Sequence, residues 1–137
     1  MNEVFADTSG WANAFVKTEP YHTEASTLVK QWQQNNRRII TTNYVLSELI
    51  FLFTRLRVRR VRGLKYIKTL YSADWIEIVH VDKSLDQKAW QFLASRLDKQ
   101  WSLVDAASFV VMQERGLTEA LTTDKHFEQA GFVRLLK

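Results

Sequence analysis

Short apolar strands alternate with helices along the chain, and several of the connections hold two helices. This alternation constrains the fold more than any other feature. Consecutive strands joined by helical crossovers pair in parallel, and a parallel sheet needs cover on both faces. The strands read as Val4–Ala6, Arg38–Thr42, Trp75–Val81, Ala120–Thr123 and Val133–Leu135. Ser9 is placed to cap a helix carrying Trp11, Ala12, Ala14 and Phe15, which Glu19-Pro20 breaks. Ala25, Leu28, Val29 and Trp32 keep the i, i+3, i+4, i+7 spacing of an amphipathic helix. A helix from Asn43 to about Leu56 precedes a basic one from Arg59 to Tyr71. Asp82 or Ser84 caps a helix on which Leu85, Ala89, Phe92, Leu93 and Leu97 share a face. Leu103–Arg115 is nearly all apolar, as a buried helix would be, and Gly116 ends it; a one-turn helix follows around His126–Ala130. The expected fold is α/β, a central, mostly parallel sheet of about five strands flanked by helices on both faces, in a single domain over residues 1–137.

Composition removes several classes of function. Apolar residues make up 46% of the 137 residues and Gly plus Pro only five, which excludes disordered and low-complexity classes. With no cysteine there is no disulfide frame, no thiolate nucleophile and no zinc–thiolate site. No apolar run reaches the roughly 18 residues of a membrane span, and the N-terminal apolar run is too short for a signal peptide. A soluble cytoplasmic protein is expected. The formal net charge is +4, but its distribution matters more. No acidic residue lies between Glu48 and Asp74, a window holding Arg55, Arg57, Arg59, Arg60, Arg62, Lys65 and Lys68. Taking these seven from the 19 basic residues leaves 12 against 15 acidic ones. One basic stripe on an acidic body suits phosphates or an acidic protein segment, and equally a solvated helix face.

In parallel sheets of this kind, ligands bind beyond the carboxyl ends of the strands. Asp7 ends the first strand and Asp124 the fourth. Glu48 sits among Tyr44, Val45, Phe51 and Leu52 with no Lys or Arg within a helical turn. On that face its carboxylate would be largely desolvated unless it opens onto a cleft or meets a cation brought by the fold. Ser102 and Asp105 have capping-box spacing at the start of an apolar helix whose N-terminus is expected to be buried. Asp7, Asp105 and Asp124 each have a structural reading as a cap, and Glu48 one as a helix-flank residue with solvent access, yet the topology gathers all four at one sheet edge. Crowded carboxylates need a cation, and Mg²⁺ or Mn²⁺ suits oxygen ligands. Such an ion acidifies a water and offsets charge on a phosphate without a His or Cys base. His22, His80 and His126 are scattered and read as structural or surface residues, with His126 alone near the site.

At these positions the chain resembles the PIN-domain nucleases, specifically the VapC-type toxins of bacterial toxin–antitoxin pairs. The carriers are Asp7-Thr8-Ser9, Ser47-Glu48-Leu49, the stretch from Trp101 through Asp105 to Phe109, and Thr122-Thr123-Asp124-Lys125-His126-Phe127 followed by Gly131-Phe132. The resemblance implies an Mg²⁺- or Mn²⁺-dependent endoribonuclease with an RNA substrate, a cognate antitoxin partner and a homodimeric state. By motif, Asp7, Glu48, Asp105 and Asp124 would be the catalytic and metal-binding acids, with Asp7 and Asp105 binding most directly. Ser9, where the family often has Asn, would be the polar residue beside the first acid, and Val104 stands where the family commonly has Thr or Ser. Ser9, Arg55, Arg57, Arg59, Arg60 and Arg62 are the expected substrate-binding residues.

Two other classes compete. A non-catalytic module would bind nucleic acid or protein through the Arg55–Lys68 stripe, with the acids serving only as caps. A phosphoacceptor domain would want an acidic neighbour to Asp7, or a second Asp where Ser9 stands, and has neither.

Overall fold

The most apolar, β-branched runs become the centre of the sheet. Val4, Phe5, Ala6, Ile39 and Ile40 are wholly buried, as are Ala120 and Leu121. The protein is described by a computed structural model covering residues 2–137. Its elements are β1 (Val4–Ala6), α1 (Thr8–Phe15), α2 (His22–Gln34), β2 (Ile39–Thr42), α3 (Asn43–Arg55), α4 (Arg60–Ser72), β3 (Ile76–Val79), α5 (Lys83–Ala94), α6 (Leu103–Arg115), β4 (Glu119–Leu121), α7 (Lys125–Gln129) and β5 (Val133–Arg134). The five strands form one sheet in the order β3-β2-β1-β4-β5, and every pairing is parallel.

Strand order decides where the site lies. The chain steps outward from β1 to β2 to β3, then crosses back to β4 on the far side of β1. Right-handed crossovers in opposite directions place their helices on opposite faces of the sheet. The order reverses between β1 and β4, where Ala6 pairs with Leu121, so a crevice opens beyond their carboxyl ends. Asp7 and Asp124 follow those two strands. α3 starts at the same edge directly after β2, and α6, which returns to β4, begins there too.

The core beneath this edge leaves few polar groups unmatched. Trp11 donates its indole N–H to Thr41 Oγ1 at 3.2 Å, and Thr41 donates to the Ala6 carbonyl at 2.9 Å. Phe109 is wholly buried and packs edge-on against Trp101 and Phe127, tying α6 to the segment carrying Asp124. Among the described residues, no helix is long and apolar enough to cross a membrane.

Several local expectations shift. The cap of α1 is Asp7, not Ser9: Asp7 Oδ1 accepts the Gly10 N–H at 2.9 Å, and Ser9 falls inside the first turn. The third strand covers Ile76–Val79 rather than Trp75–Val81. It is an edge strand, and the Val81 N–H leaves the ladder for Asn43 Oδ1 at 2.7 Å. Asp82 caps α5, which closes at Ala94, so Leu97 lies beyond the helix and is exposed.

Candidate active site

The four carboxylates meet at one cleft of about 430 Å³, lined by Asp7, Thr8, Ser9, Glu48, Arg55, Val104, Asp105 and Asp124 among others. Asp7 is the most buried of them, at 7% exposure. Its Oδ1 accepts Ser9 Oγ–H at 2.8 Å and the Gly10 N–H at 2.9 Å; its Oδ2 accepts Thr122 Oγ1–H at 2.7 Å. Burial pushes the Asp7 carboxyl up to about 7. The Thr122, Gly10 and Ser9 hydrogen bonds pull the other way, and the Asp124 charge adds to the rise. Ser9 closes the network by accepting the Thr123 N–H at 3.0 Å.

Glu48 projects from the second turn of α3, with Oε1 accepting Thr8 Oγ1–H at 2.5 Å. It is exposed, not desolvated. The helix turns Val45, Leu46, Leu49 and Phe53 into the core, so the flank carrying Glu48 opens onto the cleft. Phe51, expected to screen it, is itself 65% exposed. The N-terminus of α6 is not buried either: Ser102 and Leu103 are exposed and Asp105 half-buried, and burial begins at Ala106. The capping box forms, with Asp105 N–H donating to Ser102 Oγ at 3.0 Å and Ser102 N–H to Asp105 Oδ2 at 3.1 Å.

His126, read from the sequence as structural or surface, belongs to this cluster. Its Nδ1 lies 3.0 Å from Asp105 Oδ2 and 3.4 Å from Asp124 Oδ1, and beside two carboxylates that nitrogen carries the proton. Donor atoms of Asp105, Asp124 and His126 fall within 4.8 Å of one another. Sequence reasoning also passed over Thr8 and Thr122, the hydroxyls that hold Glu48 and Asp7. The available signal was position: Thr8 and Thr122 flank Asp7 and Asp124, and His126 stands two residues after Asp124 in a short helix that Asp124 caps.

In Asp105 and Asp124, capping and cleft-lining use different oxygens of the same side chain. Asp124 Oδ1 accepts the His126 N–H at 2.9 Å. Among the described residues, Glu48 Oε2, Asp105 Oδ1 and Asp124 Oδ2 receive no hydrogen bond, and no Lys or Arg makes an ion pair with any of the four acids. Open carboxylate oxygens around a cleft without a pairing cation are the donor chemistry of a hard divalent metal ion, and the residues fit one.

The basic stripe is divided. Arg55 lines the acidic cleft, as does Ser9. Arg57, Arg59 and Arg62 line a separate cavity, and Arg60 a small hollow beside Phe53 and Leu64. Asp98 lies away from the cleft, paired with Arg96 on the surface.

Comparison with known proteins gives a consistent picture. The PIN domain family matches residues 4–133. The chain is 31% identical over 132 residues to the 23S rRNA-specific endonuclease VapC20 of Mycobacterium tuberculosis, covering 96% of this chain and 97% of that protein. The crystal structure of VapC20, described as a sarcin–ricin loop cleaving toxin, matches with a TM-score of 0.86 at 29% identity, over 98% of this chain and 100% of that one. DNA-bound VapBC from Salmonella typhimurium shares the fold, with a TM-score of 0.68 at 18% identity, over 98% of this chain and 96% of that one.

Proposed function

The chain belongs to the PIN-domain family, and on that basis we propose that it is a metal-dependent endoribonuclease, the toxin of a toxin–antitoxin pair, that hydrolyses a ribosomal RNA loop. The observation that carries this reading is the set of four carboxylates around one cleft, each tied to the chain and without a pairing Lys or Arg. The full-length similarity to VapC20 supports RNA as the substrate class and the large ribosomal RNA as the molecule to test first.

Asp7, Asp105, Asp124 and Glu48 would hold Mg²⁺ or Mn²⁺, which when bound makes a water more acidic and offsets charge developing on the phosphate. The rest of the work falls to the chain. Thr122, Ser9 and Gly10 hold the Asp7 carboxylate in one orientation through three donors. Thr8 anchors one oxygen of Glu48 and leaves the other open toward the cleft. Arg55, on the rim, meets the RNA phosphate. The whole chain acts as one nuclease domain in the cytoplasm. The exposed side chains of Phe51, Val61 and Leu64 on α3 and α4 support a protein partner there, whether antitoxin or second copy. Light scattering with and without the antitoxin distinguishes the two.

His126 acts as a positioning residue. Its Nδ1–H and the Ser102 N–H both occupy Asp105 Oδ2, which leaves Oδ1 toward the cleft. His126→Ala is expected to weaken Mn²⁺ binding by about 10- to 100-fold, as loss of an outer-shell partner does, with partial rescue by His126→Gln. Calorimetric titration with Mn²⁺ reads this directly. An unchanged affinity in the Ala variant would mean that Ser102 alone orients Asp105.

The function is tested by incubating the protein with ribosomes and with transfer RNA in Mg²⁺, in Mn²⁺ and in chelator, mapping cuts by primer extension. Discrete cutting of the large ribosomal RNA that chelator stops is the expected result. Cutting that survives chelation overturns the metal dependence. Cutting confined to transfer RNA overturns the ribosomal substrate.

A further inference from the structure

A second cavity, of about 420 Å³, lies beside the acidic cleft and has the opposite character. Its walls are the end of α1 (Phe15, Val16, Lys17, Thr18), the turn between α3 and α4 (Leu56 to Arg59) and the α4 side chains Arg62 and Tyr66. Four cations, Lys17, Arg57, Arg59 and Arg62, line it, and no acidic residue does. Among the described residues none of the four makes an ion pair. Phe15 stacks on Tyr66 with ring centroids 4.5 Å apart and gives the cavity a rigid floor.

Arg57 is the informative residue. α3 ends at Leu56 in a paired closure: the Arg57 N–H donates to the Thr54 carbonyl at 3.1 Å and the Val58 N–H to the Phe53 carbonyl at 2.9 Å. This closure requires a left-handed residue at position 57, and Arg57 has φ 60°. Glycine is the residue that fits there without steric cost. An arginine in this position works against the fold, and its guanidinium faces a cavity that already holds three other cations.

We infer that this cavity is a second RNA subsite, in which Lys17, Arg57, Arg59 and Arg62 hold backbone phosphates of the strand whose scissile bond lies in the acidic cleft. The identity of the strand rests on the nuclease reading; the anion-binding character of the cavity does not. Consecutive residues at the end of α3 connect the two sites, Arg55 in its last turn lining the cleft and Leu56 and Arg57 just beyond it lining the cavity. From Glu48 to Arg55 is two helical turns, about 10 Å, which a few nucleotides span. The guanidinium fork binds carboxylate and phosphate oxygens alike in pairs, so it is the continuity of this cavity with the acidic cleft, from Arg55 to Arg57, that favours a phosphodiester chain carrying a charge at every nucleotide.

The test is fluorescence anisotropy with a labelled single-stranded RNA of about a dozen nucleotides, in an Asp7→Asn background so that nothing is cut. The triple variant R57Q/R59Q/R62Q is compared with K30Q/K65Q/K68Q, which removes the same charge from exposed positions outside the cavity. The cavity triple should lose roughly tenfold in affinity and about two units of log–log salt slope, near 0.7 for each lost phosphate contact. The control triple should lose less than half of either. Arg57→Gly separates binding from folding: its melting temperature should rise while its RNA affinity falls about two- to threefold and its salt slope by about 0.7. Equal effects of the two triples, or RNA affinity unaltered in Arg57→Gly, would overturn the subsite. So would a cavity triple that binds RNA normally but loses affinity for polyglutamate, since the cavity would then take an acidic protein segment. Loss of RNA binding in the cavity triple, in a protein that cuts no RNA with either ion, would leave the subsite standing and remove the nuclease reading. Chelator-sensitive cutting with equal effects of the two triples would do the reverse.

Discussion

Asp7→Asn is expected to abolish RNA cleavage and at the same time to stabilise the metal-free protein above about pH 7. Burial raises the Asp7 carboxyl from its ordinary value of 3.8 to about 7. Below pH 4 the carboxyl is protonated in both folded and unfolded chains. Between pH 4 and 7 the unfolded chain gives up the proton while the folded one keeps it, so stability falls with rising pH and levels off above 7. At about 1.4 kcal/mol per pH unit, the cost at pH 8 is on the order of 4 kcal/mol. Asparagine has no such charge and can keep the local bonds. Its oxygen accepts from Ser9 and Gly10, its amide donates to Thr122 Oγ1, and the Thr122 proton turns to Ser9 Oγ, 3.2 Å away. The helix cap survives as well, since Asn caps about as well as Asp. Thermal melts in chelator from pH 4 to 8.5 should show a falling midpoint for the wild type and a much flatter one for the variant. Mn²⁺ should raise the wild-type midpoint at pH 8 and leave the variant nearly unmoved. Cleavage should drop by well over 100-fold, beyond the loss typical of outer-shell changes alone. A variant that still cuts would show that Asp7 is only a cap, as the binding-module reading requires.

Gly10→Ala is expected to be the most damaging single methyl in the protein. Gly10 lies in the first turn of α1, where the helix crosses β4. A Cβ there would stand 1.9 Å from the Leu121 carbonyl oxygen and 2.8 Å from its carbonyl carbon. Both obstacles are backbone, so no rotamer change relieves them. Either α1 lifts off the sheet or β4 moves outward. Overpacking usually costs 1–3 kcal/mol, and a clash with immovable backbone belongs at or above the top of that range, about 3 kcal/mol or more. The displacement also reaches the site. The Gly10 N–H bonds Asp7 Oδ1, and the Asp7 N–H bonds the same Leu121 carbonyl at 3.3 Å. Cleavage should fall steeply even at temperatures where circular dichroism still reports folded protein. Wild-type melting and wild-type cleavage in Gly10→Ala would disprove the close packing of α1 on β4.

Much of this architecture can be read from residue order because its causes are local. A strand such as Val4–Ala6 or Ile39–Thr42 is legible from its β-branched and apolar side chains. The ends of α5 and α6 are legible from Asp82, the Ser102–Asp105 pair and Gly116, since caps act within three or four residues. The alternation of these elements determines a parallel sheet, and a parallel sheet determines the edge at which Asp7 and Asp124 emerge. The motifs around the four acids were legible for the same reason, and so was their competing role as caps. Both readings hold at Asp105 and Asp124, where capping engages one carboxylate oxygen and leaves the other without a hydrogen bond, whereas Asp7 Oδ2 is taken by Thr122 and Glu48 caps no helix.

Contacts between residues far apart in the chain decided the rest. Glu48 was expected on an apolar face because periodicity says which side of a helix a residue occupies, not which neighbours cover that side. Only the packing of α3 left it open, with Thr8 brought from 40 positions away. His126 meets Asp105 across 21 positions and Thr122 meets Asp7 across 115, pairings that no local pattern encodes. The basic stripe reads as one feature along the sequence. The left-handed turn at Arg57 divides it between an acidic cleft and a basic cavity, because a helix end changes direction where the linear order does not. Local chemistry thus determined the elements and the acids at their ends. Which oxygens remain open, which hydroxyls and imidazole hold the others, and which arginines face which cavity were decided by tertiary packing, since each depends on a partner supplied by a different strand or helix.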